Sequence, residues 1–185
     1  MIALLVIDMQ NAFFEAPELA AQQERVVGEC NRLLEGFKAA GQAALLIGTE
    51  HERDKSTWTL SMLDDGQGFI FRGSEQAHSV PGLMKEDLPQ LNKTRDSAFV
   101  GTNLLARLRN WAADDVVLAG VSTHNCIAQT AADAFAHNIR VTYAKDAMAS
   151  EADQDAADML RILSTTYRQP IQSTEEILAR IDRAT

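Results

Sequence analysis

Ile2-Ala-Leu-Leu-Val-Ile7, broken at once by Asp8, is an unbroken apolar run of strand length. A strand with one wet face alternates apolar and polar residues; an uninterrupted run predicts a strand covered on both faces, as in parallel sheets. Outward from this run the pattern changes period. Leu19, Val26, Val27, Cys30, Leu33, Leu34 and Phe37 recur at helical spacing, with Gly41 placed to end the helix. Ala43–Ile47 is a second apolar strand, and Val116–Ala119, closed by Gly120, is a third. Between them Thr102 can cap a helix carrying Leu104, Leu105, Leu108 and Trp111 on one face.

A further helix is expected from near Asn125 to His137, with Asn138 as a left-handed terminator. Arg140–Ala144 reads as a strand and Ala156–Leu163 as a helix. Tyr167–Ile171 could form a strand, which Pro170 would confine to a sheet edge. Ser173 and Glu176 have capping-box spacing before a helix with Ile177, Leu178 and Ile181. Strand and helix alternating through one chain predict an α/β fold, a parallel sheet with helices on both faces. Ligands bind such folds beyond the carboxyl ends of the strands, where the strand order reverses.

At 185 residues the chain fits one domain, 1–185, able to bury about 70% of its unfolded surface. It is 46% hydrophobic and 23% charged, a globular composition. The formal charge of −9 argues against nucleic-acid and anionic-membrane partners. Two cysteines are too few for a disulfide framework, and the first apolar run is too short for a span and lacks a basic leader. A cytoplasmic protein is expected. The stretch from Glu50 to Pro89, about forty residues, interrupts the alternation and suits a pocket lid, an oligomer contact or both.

Three residues invite chemistry, each with a plain alternative. Asp8 at a strand end is a desolvated carboxylate with a role or a loop cap. Cys126, six residues past Gly120 where strand turns to helix, would feel the helix dipole and free N–H groups that favour thiolate, or is buried packing. Cys30, on the first helix's apolar stripe, is a core residue. By context alone Lys93 is a solvated surface charge.

Three motifs alter this reading. Leu5-Val-Ile-Asp8-Met-Gln-Asn-Ala-Phe13 resembles the opening motif of the isochorismatase-like hydrolases. Lys93-Thr-Arg-Asp-Ser-Ala-Phe99, with Thr102 and Leu104, resembles their lysine motif, and Gly120-Val-Ser-Thr-His-Asn-Cys126 their cysteine motif. Asp146-Ala147 matches a pair that often follows the family's next strand. The resemblance implies a three-layer, Rossmann-like α/β/α fold with six mostly parallel strands in the order 3-2-1-4-5-6, the third ending near Lys93. Asp8 and Cys126 would then face each other across the switch point.

It further implies a catalytic triad. Asp8 would take the Cys126 thiol proton and Lys93 would favour the thiolate, consistent with how a base and a cation activate a thiol. The thiolate would attack an amide, carbamoyl or related C–N carbonyl and pass through a thioester. The backbone N–H groups of Ser122 and Cys126 would hold the oxyanion, beside a cis Val121–Ser122 peptide. A cysteine, where isochorismate-cleaving members have glycine, points away from vinyl ether hydrolysis. Phe13, His51, Trp58 and Val121 are candidate substrate contacts.

The metal-binding branch of the family carries Asp-x-His after strand two; here the stretch is Thr49-Glu-His-Glu-Arg-Asp54. Glu50, His51 and His78 could in principle ligate zinc, but no metal and no other cofactor is expected. His124 raises a rival Cys–His pairing, although residues two apart at a helix start point different ways. A small-molecule substrate and a homo-oligomer, dimer or larger, are expected. The rival class is a non-catalytic binding or assembly member that keeps the fold; absence of Cys-x-x-Cys argues against thiol redox chemistry.

Overall fold

The computed structural model describes residues 1–182, so the expected domain of 1–185 extends three residues beyond the described chain. The strands are β1 (Ile2–Ile7), β2 (Ala43–Thr49), β3 (Gln90–Lys93), β4 (Asp115–Gly120), β5 (Arg140–Met148) and β6 (Ile171–Gln172). They form one sheet in the order β3-β2-β1-β4-β5-β6, and every adjacent pair is parallel. Pleating sends Leu4 and Val6 of β1 into one apolar layer and Ala3, Leu5 and Ile7 into the other, which is why the run has no polar position.

Helices α1 (Gln23–Ala39), α2 (Leu60–Asp65), α3 (Leu104–Asn110), α4 (Ala128–Ala136), α5 (Asp153–Tyr167) and α6 (Thr174–Asp182) follow in chain order. α1 and α6 cover the first face with Val26, Cys30, Leu33, Leu34, Phe37, Ile177 and Ile181. Leu104 and Leu108 of α3, Ala131 and Ala134 of α4 and Leu163 of α5 cover the second.

Two strands differ from the reading of periodicity, although β3 ends at Lys93 as the resemblance implies. β3 exposes Gln90 and Asn92 and buries only Leu91 and Lys93, so four residues with two polar positions carry no apolar signal. Of the segment Tyr167–Ile171 only Ile171 is in a strand. α5 runs through Tyr167 and stops at Arg168 in a left-handed conformation, and β6 begins only after Pro170. β6 is an edge strand, and the Pro170 carbonyl accepts the Tyr143 N–H at 2.9 Å. The long segment after β2 is also less irregular than expected, since it contains α2, capped by the Thr59 hydroxyl and ended by left-handed Gly66.

The strand order reverses between β1 and β4, where Ile7 pairs with Gly120 at the carboxyl ends. Gly120 has φ +108°, and a Cβ there would stand 2.0 Å from the Ile7 carbonyl oxygen. Only glycine allows the two strands to meet at this point.

Candidate active site

The three candidate residues meet just beyond that crevice. Asp8 leaves β1 with φ 54° and donates its N–H to the Ile47 carbonyl at 2.7 Å, which aims the carboxylate over the strand ends. Lys93 is the last residue of β3, and β2 places Thr49 in register beside it. Cys126 lies in a wide helical turn, Thr123–Ile127, that leads into α4.

Lys93 Nζ stands 2.8 Å from Asp8 Oδ2 and 3.4 Å from the Cys126 sulfur, and it donates to the Thr49 hydroxyl at 2.8 Å. That hydroxyl donates in turn to Asp8 Oδ1 at 2.9 Å, so one lone pair and one proton both have partners. Oδ2 has the ion pair but no directed hydrogen bond, which leaves it able to accept a proton. Asp8 and Lys93 are shut off from solvent.

Burial works against the Lys93 ammonium, yet the neighbouring Asp8 and Cys126 outweigh it and hold the lysine above its ordinary pKa. The thiol moves in the direction opposite to the sequence expectation. Burial and then the Asp8 carboxylate push the Cys126 pKa well above that of a free thiol, and the Lys93 charge offsets only part of this. At neutral pH the resting site therefore holds a neutral thiol beside an ion pair. Helix position alone had suggested a thiolate, but the carboxylate is closer and the pocket drier than chain order could show.

Above the sulfur opens a cavity of about 500 Å³. Cys126 lines it together with Asn125, Thr49 and His51, while Phe13, Met62, Phe69 and Ile70 supply apolar surface. Asp8 and Lys93 are not in the lining; they sit behind Cys126 and Thr49, which are. A second cavity of about 500 Å³ opens at the opposite end of the sheet beside Asp115 and Arg180, remote from the thiol.

Of the expected substrate contacts, Phe13 and His51 line the cavity. Trp58 and Val121 do not, which corrects the sequence reading. The Trp58 indole is buried behind the cavity wall, donating to the Glu52 carbonyl at 2.9 Å and packing on Gly68 so closely that a Cβ there would meet it at 2.4 Å. Val121 is fully buried in the layer beneath α1.

The Val121–Ser122 peptide is cis. The Ser122 carbonyl accepts the N–H groups of Asn125 and Ile127, whereas the Ser122 N–H has no acceptor among the described residues. His124 turns away from the sulfur, with Nδ1 2.7 Å from the Ser150 hydroxyl. The histidines and glutamate considered for zinc do not converge. His51 Nδ1 lies 2.9 Å from the Thr57 carbonyl, Glu50 accepts from Asn92, and His78 contacts Glu75. Among the described residues no group of three or more His, Cys, Asp or Glu side chains could hold a metal ion.

Sequence reasoning missed Thr49 and Gln10. Gln10 donates to the carbonyls of Thr49 and Ala77 and accepts the Thr49 N–H at 2.7 Å, which fixes the end of β2. Gln10 lies within the first quoted motif, and Thr49 ends the second strand, yet neither position discloses its partners before the sheet is assembled.

A family model described as the isochorismatase domain matches residues 2–176. The chain belongs to the isochorismatase family. It is 36% identical over 157 residues, 80% of each chain, to a probable inactive nicotinamidase of Arabidopsis thaliana. An isochorismatase family protein from Desulfovibrio vulgaris superposes with a TM-score of 0.82 at 29% identity, covering 99% of this chain and 97% of the other. N-carbamoylsarcosine amidase from Thermoplasma acidophilum has a TM-score of 0.78 at 26% identity, covering 94% and 96%. No helix among the described residues is long and apolar enough to cross a membrane.

Proposed function

We propose that this isochorismatase-family hydrolase cleaves an amide, carbamoyl or related C–N bond of a small molecule through a thioester on Cys126. The observation that carries this reading is the buried contact of Asp8, Lys93 and Cys126 at the floor of a cavity open to a substrate.

Because the thiol rests neutral, deprotonation and attack belong to one event. Asp8 Oδ2 takes the proton as sulfur bonds to the carbonyl carbon, and Lys93 stabilises the negative charge that moves from oxygen to sulfur. The carbonyl π pair becomes an oxyanion facing the Ser122 and Cys126 N–H groups; one such donor is worth about 3–4 kcal/mol in other hydrolases. The oxyanion collapses, the C–N bond breaks, and the nitrogen leaves as ammonia or an amine carrying the proton from Asp8. Asp8 then deprotonates a water, which attacks the thioester and releases the acid, and the sulfur regains its proton. Neither step calls on a metal. The solved relative named as an N-carbamoylsarcosine amidase supports a carbamoyl group among the candidates.

The test is a panel of amide and carbamoyl substrates run on wild type, Cys126→Ala and Asp8→Asn. Wild type is expected to turn over at least one substrate and both variants to lose at least a thousandfold; equal turnover by all three would refute the mechanism. The relative named as inactive favours a second reading, a binding member of the same fold, which would hold a panel compound tightly without cleaving it.

A further inference from the structure

We infer that Glu151 is a positioning residue, the clamp that holds the Ser122 N–H in place for an oxyanion formed on the Cys126 adduct. The inference rests on the proposed thiol chemistry and adds a residue outside the motifs.

Residues 149–151, just past β5, grip the step that precedes the nucleophile from both sides. The Ala149 carbonyl accepts the Thr123 N–H at 2.9 Å and the Thr123 hydroxyl at 2.9 Å. Glu151 Oε2 accepts the Ser122 hydroxyl at 2.5 Å. The other oxygen, Oε1, stands 3.8 Å from His124 Nε2, and His124 Nδ1 meets the Ser150 hydroxyl at 2.7 Å. Thus Ser122, Thr123 and His124 are each tied to one of three consecutive loop residues. A hydroxyl-to-carboxylate bond is among the stronger side-chain hydrogen bonds, and it fixes Ser122, whose N–H has no acceptor among the described residues.

The line of Ser150, His124 and Glu151 is not a second catalytic triad. Ser150 is buried, its hydroxyl also meets the Ala152 backbone, and it lines neither large cavity. The cluster's product is therefore geometry. Donor geometry matters steeply, since a displacement of about 1 Å can lower a rate roughly a hundredfold.

Benzaldehyde and iodoacetamide separate positioning from general damage. Benzaldehyde adds reversibly to the thiol: the S–C bond forms, the C=O π pair moves to oxygen, and the thiol proton ends on Asp8 or on that oxygen. The adduct carries an oxygen for the proposed Ser122 and Cys126 donors to hold. Iodoacetamide alkylates the same sulfur by displacing iodide, with no developing oxyanion at the donors. Alkylation of Cys126 is followed by peptide mass, and benzaldehyde affinity is read from the protection it gives.

In Glu151→Ala and Ser122→Ala, benzaldehyde affinity is expected to fall at least tenfold while alkylation without aldehyde stays within twofold of wild type. Glu151→Gln, which still offers an acceptor, is expected to recover most of the affinity, and the double variant to be no worse than either single one. Unchanged benzaldehyde affinity in Glu151→Ala, or an equal loss of alkylation, would overturn the clamp. Wild type that binds benzaldehyde but cleaves no amide would sink the hydrolase reading and leave the clamp standing.

Discussion

The Lys93 ammonium stands 2.8 Å from the Asp8 carboxylate with both side chains out of contact with solvent. Breaking such a pair leaves a bare charge in the interior, at about 3–5 kcal/mol. Asp8→Asn and Lys93→Met should each lose stability on that scale in urea unfolding. The double variant should recover part of the loss, because neither charge is then stranded; strictly additive losses would show that the two groups do not interact.

Cysteine ionisation gives a stability effect with a defined window. Burial pushes the Cys30 thiol from 9.0 up to about 12. Below pH 9 the folded and unfolded chains both keep this proton. As pH rises above 9 the unfolded chain loses it first, so stability falls by about 1.4 kcal/mol per pH unit for this thiol until the folded thiol also ionises near 12. Cys126, displaced in the same direction, adds to the fall. Urea midpoints between pH 8 and 10 should drop in wild type and drop less steeply in Cys30→Ala. A parallel slope would contradict the burial argument.

The two thiols should differ in reactivity for reasons of access. Cys126 lines the large cavity, whereas Cys30 is sealed beneath β5 with its sulfur 3.6 Å from the Ala147 carbonyl. Native protein should alkylate at Cys126 only, with Cys30 labelled after urea. The Cys126 rate should still be climbing at pH 9, since its neutral form persists above the ordinary thiol range. A plateau near pH 7 would mean a resting thiolate.

Gly120→Ala should cripple the fold at its switch point. The added Cβ would collide with the Ile7 backbone, and φ +108° is strained for any other residue. A loss of about 3 kcal/mol or more is expected, read as a lowered Tm. A variant of wild-type stability would place the β1–β4 crevice elsewhere.

The central strands were readable because burial on both faces leaves an unmistakable apolar run, as in Ile2–Ile7. β3 was not, since an edge strand of four residues buries only Leu91 and Lys93. Asp8 and Cys126 could be singled out by strand-end and helix-start positions. Lys93 could be selected only through its motif, because nothing local distinguishes a lysine beneath a cavity from one in water. Trp58 and Val121 misled for the converse reason. An aromatic residue in a lid-like segment and an apolar residue beside the nucleophile look like pocket walls, yet Trp58 packs on Gly68 and Val121 on the core. The upward shift of the thiol was not legible because it depends on burial and on the nearness of Asp8 and Lys93, which chain order does not contain.

The most direct measurement is acid quenching of wild-type protein during turnover of a cleaved substrate, followed by peptide mass spectrometry. The account predicts an added acyl mass on the peptide holding Cys126, removed by hydroxylamine and absent from Cys126→Ala. Rapid turnover with Cys126 unmodified at every quench time, and undiminished in Cys126→Ala, would contradict it.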